Sequence, residues 1–269
     1  FSHMDINFIQ GDVKDYNDML NAARGCEFGI FTAASKIIHR VDLNLEKAIQ
    51  TIVYGAINSK KVAEELKFKA SVLLSSDKEA ESSTSYGLCK RLGSNYFLSE
   101  IGNNKNLCVL RYGNINASSS SLLNILPSFI QSGKTISLYH EDMTRFFIDS
   151  KDAVELILSS LVYCNVYNRV TVIPKLNSFK VKDVFDIYQE KFGLQYNMGK
   201  PRKNEKIAEQ LIGEDEVNKT VKLDDNIYLV KQDSVENPVI DKPLSSSDNP
   251  ISKGDLFKYL EGKNFYMSI

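Results

Sequence analysis

Tyr86 and Lys90 stand four residues apart, which on a helix places both on one face, a turn from each other. A tyrosine phenol titrates at about 10 and is a poor base at neutral pH. A neighbouring ammonium, together with a cationic nicotinamide ring, favours the phenolate. Such a tyrosine can take a sugar hydroxyl proton while hydride leaves to the cofactor, and the lysine can hold the nicotinamide ribose. The spacing alone says little, because Tyr196–Lys200 and Tyr259–Lys263 share it. Context separates the first pair. It follows an apolar strand ending in Ser75-Ser76-Asp77-Lys78, with a polar connection, Ser82–Ser85, bringing the chain back.

Ser76-Asp77-Lys78 is the second constellation. An Asp beside a Lys at a strand end is by itself an ordinary surface turn. Joined to Tyr86 and Lys90 it becomes acid–base equipment. Eliminating water from a keto-sugar needs a base at the acidified carbon and an acid at the leaving hydroxyl. A desolvated lysine suits the first role, and a carboxylic acid of raised pKa the second.

The elements that must position these groups alternate. Ile6–Ile9, Phe28–Phe31, Val72–Leu74 and Leu107–Leu110 read as buried-type strands. Helices are predicted over 15–24, through the apolar spacing of Leu45, Ala48, Ile49, Ile52, Ala56, Val62 and Leu66, from Ser85 to about Glu100, and around 122–131. Such alternation predicts a doubly wound parallel α/β sheet, Rossmann-like, with ligands beyond the carboxyl ends of the strands. After about residue 135 the pattern loosens. Thr144–Ile148 and Val170–Ile173 read as strands, 181–190, 205–212 and 253–261 as helices, and 233–250 as an extended surface connection. The expected division is a cofactor-binding and catalytic region over 5–135, interleaved with a smaller substrate-binding and C-terminal region over 136–269.

Composition narrows the field. A formal net charge of −1 gives no electrostatic case for nucleic acid or an anionic membrane surface. Four scattered cysteines and three histidines suggest neither a disulfide framework nor a metal site. No apolar run reaches the length of a membrane span, so a cytoplasmic protein is expected. Arg145 and Arg202, taken singly, read as surface or ion-paired arginines.

The ordered set Gly11-Asp12-Val13, Ala33-Ala34-Ser35-Lys36, Ser76-Asp77-Lys78, Tyr86-Gly87-Leu88-Cys89-Lys90, Arg111-Tyr112-Gly113-Asn114, Met143-Thr144-Arg145-Phe146 and Arg202 with Glu205-Lys206 resembles the extended short-chain dehydrogenase/reductase superfamily. More closely, it resembles the inverting UDP-N-acetylglucosamine 4,6-dehydratases of surface-polysaccharide and flagellin-sugar pathways. The resemblance runs from about Ile6 to Ile212. Tyr86 favours the soluble inverting type, since membrane-anchored retaining relatives usually carry Met there.

The resemblance implies NAD or NADP as cofactor and a UDP-sugar as substrate. It implies that Asp12 and Val13 hold the adenine end and that Ala33 and Ala34 pass under the ribose and pyrophosphate. Tyr86 would oxidise the sugar at carbon 4, with Lys90 in support. Lys78 would take the proton at carbon 5, Asp77 would protonate the hydroxyl leaving carbon 6, and Ser76 would orient the sugar. Lys36 and Asn114 would face the sugar nucleotide, and Arg145, Arg202 and Glu205 would grip UDP, a guanidinium suiting diphosphate oxygens. Homo-oligomers are common in the family.

Departures are concentrated at the front. The superfamily opens with a strand, a glycine-rich turn and a helix, and this sequence holds no GxGxxG and no P-loop. By comparison it begins at the family's third strand. Ile52 replaces a common polar Asn, Asn116–Ser121 replaces a Gly/Arg-containing segment, Asn204 a Gly, Ala208 a His, and Glu79–Ser85 a Pro-containing connection. Two expectations follow. The first is nucleotide-sugar 4,6-dehydration, with inversion at carbon 5 as an added step. The second is a truncated or non-catalytic homologue that binds a sugar nucleotide or pairs with a complete subunit. Sugar-nucleotide epimerisation or reduction keeps the enzyme class, but Asp77-Lys78 beside Tyr86 argues for dehydration.

Overall fold

The computed structural model describes residues 5–34, 41, 44–103, 105–116, 118, 121–201 and 204–263. Helix α1 (Tyr16–Ala23) starts at Asp15, whose carboxylate accepts from the backbone N–H groups of Asn17 and Asp18. Strand β1 (Phe28–Phe31) follows. The long helical stretch that comes next consists of α2 (Leu45–Ala48), a π-helical turn (Ile49–Tyr54) and α3 (Gly55–Glu65). Strand β2 (Ala70–Leu74), α4 (Ser85–Leu98), β3 (Leu107–Leu110), β4 (Asn114–Ile115) and α5 (Leu122–Ser132) complete the first part. Then come β5 (Ile136–Leu138), β6 (Thr144–Ile148), α6 (Ser150–Tyr167), β7 (Val170–Pro174), β8 (Ser178–Lys180) and α7 (Val181–Phe192). The chain continues through β9 (Tyr196–Met198), β10 (Gln210–Ile212), β11 (Thr220–Lys222), β12 (Ile227–Val230) and β13 (Leu244–Ser245) to α8 (Lys253–Gly262).

The central sheet runs β1-β2-β3-β7-β12-β11. The first four strands are parallel, and β12 and β11 close the sheet antiparallel. The expected parallel sheet is therefore mixed at one margin. All five residues of β2 are buried, as befits a strand covered on both faces. Val72, Leu74, Cys108 and Leu110 share a core with α6 residues such as Ala153 and Cys164. Leu73, Leu107 and Val109 pack on the opposite face with Leu20, Val62, Ala63 and Phe97 from α1, α3 and α4. Burial of these two layers is the main favourable term holding the sheet together, at about 25 cal/mol per Å² of apolar surface.

A second core gathers Leu126, Leu138, Phe147, Phe185, Tyr188, Leu194 and Leu256 from α5, β5, β6, α7, α8 and the turn after α7. It uses residues on both sides of position 135, while β7, β11 and β12 from the later part enter the central sheet. β4, β6 and β8 form a small sheet, β10 pairs with β13, and β5 with β9.

Four expectations differ from the structure, one being the surface connection over 233–250, which instead contributes β13 and the buried Ser246. Residues 6–9 are not a strand, and Phe8 is 89% exposed. A strand needs a ladder partner for its N–H and C=O groups, and among the described residues this run has none. The helix predicted over 205–212 is also absent. The N–H of Glu209 donates to Ser246 Oγ, the N–H of Ser246 donates to the Glu209 carbonyl, and Ile212 pairs with Leu244. Tertiary pairing overrides the helical spacing there. Finally, the long helix is interrupted by the π turn at the position of Ile52.

Candidate active site

The ladder between β2 and β3 continues past the end of β2. The Ser75 N–H donates to the Leu110 carbonyl at 2.8 Å, and the Asp77 N–H to the Tyr112 carbonyl at 3.0 Å. The chain then folds into one 3-10 turn, Asp77–Glu79, with Ser76 as its cap. Ser82 Oγ donates to the carbonyls of Lys78 and Glu79, which ties the polar connection down. Thr84 caps α4 by accepting from the Gly87 N–H. Tyr86 and Lys90 fall on the buried face of α4, while Leu88 and Leu92 face outward.

A cleft of about 690 Å³ opens at these strand ends, and its wall includes Ala34, Ser76, Lys78, Tyr86, Lys90 and Asn114. Lys78 Nζ lies 2.9 Å from Asp77 Oδ1 and 3.6 Å from Glu209 Oε1, and donates to Asn114 Oδ1 at 3.4 Å. Asp77 is fully buried, and its Oδ1 also accepts from Ser76 Oγ at 2.9 Å. Burial pushes Lys78 down, but Asp77 and Glu209 outweigh it, so the amine is held protonated above the ordinary lysine range.

Burial pushes the Tyr86 phenol up to about 12, against the lowering charge of Lys78. The ammonium that acts on the phenol is thus that of Lys78. Lys90 donates to the Leu74 carbonyl at 2.7 Å, and burial pulls it down to about 8 against the opposing charge of Glu79.

Behind these residues lies a buried ion cluster. Arg111 Nε donates to Glu79 Oε1 at 2.7 Å, Nη1 to Glu216 Oε2 at 2.7 Å and to the Leu211 carbonyl at 2.8 Å, and Nη2 to Glu216 Oε1 at 2.8 Å. The other oxygen of Glu79 accepts from Ser94 at 2.6 Å and from Ser75. The carboxylate that steadies this arginine also faces Lys90.

A second cleft, of about 410 Å³, is lined by Phe129, Leu138, Arg145, Phe185 and Glu205 and shares Asn114 and Leu122 with the first. The Arg145 Nη2 donates to Glu205 Oε1 at 2.8 Å and to the Lys206 carbonyl at 3.0 Å; Nη1 donates to the Thr144 carbonyl at 2.7 Å. The two clefts therefore adjoin at Asn114 and Leu122.

Ser76, Lys78, Tyr86, Lys90, Ala34 and Asn114 thus meet in one cavity, and Arg145 and Glu205 in its neighbour. Asp77, fully buried behind Lys78, lines neither, and nor do Asp12, Val13 and Ala33. The Asp12 carboxylate is taken up by the backbone and ammonium of Lys14, and the Val13 and Lys14 carbonyls accept from Asn58 on α3. Lys36 and Arg202 lie outside the described residues. Sequence reasoning missed Glu79, Glu209 and Glu216. Their partners are reached only through the fold, and no periodicity marks them. Among the described residues no group of side chains could hold a metal ion, and no helix is long and apolar enough to cross a membrane.

The chain is 28% identical over 269 residues to the inverting UDP-N-acetylglucosamine 4,6-dehydratase of Campylobacter jejuni, covering 96% of this chain and 78% of that protein. It is 30% identical over 162 residues to a UDP-glucose 4-epimerase of Rickettsia bellii, covering 59% of this chain and 48% of that one. Its fold is that of Pen from Bacillus thuringiensis, with a TM-score of 0.89 over 98% of this chain and 85% of that one at 20% identity. It also superposes on DesIV of Streptomyces venezuelae, a dTDP-glucose 4,6-dehydratase solved with NAD, with a TM-score of 0.62 over 73% of this chain and 68% of that one at 15% identity. Residues 2–232 match the polysaccharide biosynthesis protein family, and the chain belongs to that family, within the extended short-chain dehydrogenase/reductases.

Proposed function

We propose that this protein removes water from a UDP-linked N-acetylhexosamine, forming a 4-keto-6-deoxy sugar, with NAD or NADP held in the first cleft. The observation that carries the reading is the placement of Lys78. It stands on the wall of the same cavity as Tyr86, paired with Asp77. Epimerisation at carbon 4 needs only a tyrosine and its lysine, whereas elimination needs a further acid and base.

The residues present fit the ribose–nicotinamide half of the cofactor. The cleft has the size of a small-molecule site, small residues Thr32 and Ala34 at the end of β1, and a buried lysine beside a buried tyrosine. An oxidised nicotinamide, when bound, supplies the hydride acceptor and a positive charge beside the phenol. Tyr86 takes the proton of the carbon-4 hydroxyl. Passage of a proton from the Lys78 ammonium to Asp77 across their 2.9 Å contact leaves an amine that takes the carbon-5 proton once the neighbouring ketone has acidified it, and a carboxylic acid that supplies the proton with which the carbon-6 hydroxyl leaves as water. Ser76 and Asn114 orient the sugar, and Arg145 with Glu205 takes the nucleotide in the adjoining cleft.

A non-catalytic homologue is the second reading, favoured by the engagement of Asp12 with Lys14 away from the cleft. One experiment separates the two. The purified protein is denatured and the supernatant assayed for NAD(H) and NADP(H), then fresh protein is incubated with UDP-N-acetylglucosamine. Bound cofactor, and a product lighter by one water that disappears in Lys78→Ala while cofactor is retained, supports the dehydratase. No cofactor released, and none taken up from excess, sinks it.

A further inference from the structure

Glu79 has no role in the scheme above, yet it joins the first cleft to the ion cluster behind it. It is fully buried, on the 3-10 turn that also carries Lys78. Its Oε2 accepts from Ser94 Oγ at 2.6 Å and from Ser75 Oγ, and those two hydroxyls lie 3.4 Å apart. Ser75 directly follows Leu74, whose carbonyl accepts from Lys90 Nζ at 2.7 Å. Ser94 stands one turn beyond Lys90 on the same face of α4. The carboxylate and the amine are thus seated on one strand end and one helix face. Lys90 lines the cleft, and Glu79 stands behind it.

The charges of the cluster do not cancel. Arg111 is 2% exposed and meets two carboxylates, with Nε 2.7 Å from Glu79 Oε1 and Nη1 2.7 Å from Glu216 Oε2. One guanidinium between two carboxylates leaves a surplus of one negative charge in a buried place, which is costly without a counter-ion. Lys90, 9% exposed, is the cation on the remaining side. With its ammonium the group of four is neutral, and loss of that proton restores the surplus. Burial favours the free amine of Lys90, and the charge of Glu79 opposes it.

The other charged and titratable groups on the elements packed around Lys90 are engaged elsewhere or neutral. On its own helix, burial pushes the Tyr86 phenol up to about 12 and raises the Cys89 thiol, and Arg91 pairs with Asp215. On the 3-10 turn, Asp77 pairs with Lys78 at 2.9 Å. Just past β3, burial raises the Tyr112 phenol. On α2 and the π turn, Glu46, Lys47 and Tyr54 are exposed. On α3, Lys60 bonds the carbonyls of Tyr96 and Ser99 at the far end of α4, and Lys61, Glu64 and Glu65 lie farther along.

We propose that Glu79 is a positioning residue for Lys90: it supplies the counter-charge that keeps the buried ammonium at the cleft wall, and so sets the alkaline limit of cofactor retention, the cofactor part resting on the reading that the first cleft holds NAD or NADP. An ammonium has three N–H donors, so it can keep the Leu74 carbonyl and still donate to ribose hydroxyls.

The direct readout needs no ligand. Protein labelled with carbon-13 at lysine Cε is titrated by NMR from neutral to alkaline pH, and the Lys90 resonance is identified by its loss in Lys90→Arg. Its midpoint falls by about one pH unit in Glu79→Gln, because the nearest opposite charge is gone. The glutamine keeps the shape of the site: its amide oxygen can accept from Arg111, and its N–H groups can donate to Ser75 and Ser94. Ser94→Ala removes a hydrogen bond but no charge, and leaves the midpoint at the wild-type value. Glu216→Gln removes the surplus charge from across Arg111 and lowers the midpoint by a smaller step, which carries the test should Glu79→Gln not fold. An unchanged Lys90 midpoint in either glutamate variant overturns the proposal. So does a fall in Ser94→Ala as large as that in Glu79→Gln, since packing rather than charge would then set the titration.

The second readout is retention of NAD or NADP by filtration across the same pH range. In Glu79→Gln the alkaline decline moves down in step with the amine. A decline that stays in place while the amine midpoint moves overturns the link to the cofactor. If the wild type retains no cofactor at any pH, the reading of the cleft itself falls, and the NMR titration still decides whether Glu79 is the counter-ion of Lys90.

Discussion

The Cα of Gly87 lies against the carbonyl of Lys78 so closely that a Cβ there would stand 2.2 Å from the oxygen. The contact seats the first turn of α4 directly on the 3-10 turn that carries Lys78, and so fixes Tyr86 relative to the amine. Gly87→Ala must push the two turns apart. Overpacking of this kind costs about 1–3 kcal/mol, read as a lower urea midpoint. The loss of turnover should be larger than the loss of stability implies, because both reacting groups are displaced. Full activity in a variant destabilised to that degree would show that the contact serves packing alone.

Removing the phenolic oxygen tests the base. Tyr86→Phe should retain the fold, since the ring remains buried, but lose formation of reduced cofactor on adding sugar nucleotide. The expected drop is about 10²–10⁴-fold, the usual worth of a positioned acid–base group. Rapid-mixing absorbance of the reduced nicotinamide reads it, and a burst of wild-type size would remove Tyr86 from the mechanism.

Lys90 sets an alkaline limit. Burial pulls it down to about 8, so its ammonium dominates below that pH and is lost as pH rises through it. If the charged form holds the ribose, cofactor retention should decline as pH rises through about 8, and Lys90→Arg should move that decline well upward. Stability should run the other way. The folded state releases this proton before the unfolded chain does, so between that pH and the ordinary lysine value the contribution of Lys90 rises with pH. Retention measured by filtration, and urea midpoints of wild type against Lys90→Met, check the two signs.

Glu216 predicts an acid limit to stability. Burial pushes its carboxyl up, but the Arg111 guanidinium and the Gly213 N–H outweigh it and hold it below the ordinary value of 4.5. Its contribution is therefore complete above that value and lost as pH falls through the depressed one. Glu216→Gln should cost about 3–5 kcal/mol at neutral pH by stripping a partner from a buried arginine. It should also flatten the acid side of the stability curve. Parallel wild-type and variant curves below the ordinary value would mean that Glu216 does not titrate there.

The order of strand, polar turn and helix around Ser76–Lys90 was legible because its signals are local: a run of apolar residues, a polar connection at Ser82–Ser85 and a four-residue spacing. The meeting of that segment with Asn114 was legible from the rule that ligands gather at the carboxyl ends of parallel strands. What was hidden was non-local. Arg111 was visible within its motif, but Glu79 looked like an irregular substitution, and Glu216 lies 105 residues farther along the chain. The stretch around Glu209 carried a helical rhythm that strand pairing with residues near Ser246 overrode. The π turn at Ile52 leaves no mark in the sequence that periodicity can read, because the neighbouring residues keep helical spacing.

The Arg111 cluster also governs how the two cavities behave mechanically. It ties the turn after β2 and the end of β3 to the strand and turn that follow the second cleft, using neither cavity's lining to do so. A motion that drew the turn after β2 away from the segment around Glu216 would have to separate buried charges, a cost of about 3–5 kcal/mol. The turn that carries Lys78 and the segment around Leu211 and Glu216 are thus held as one piece.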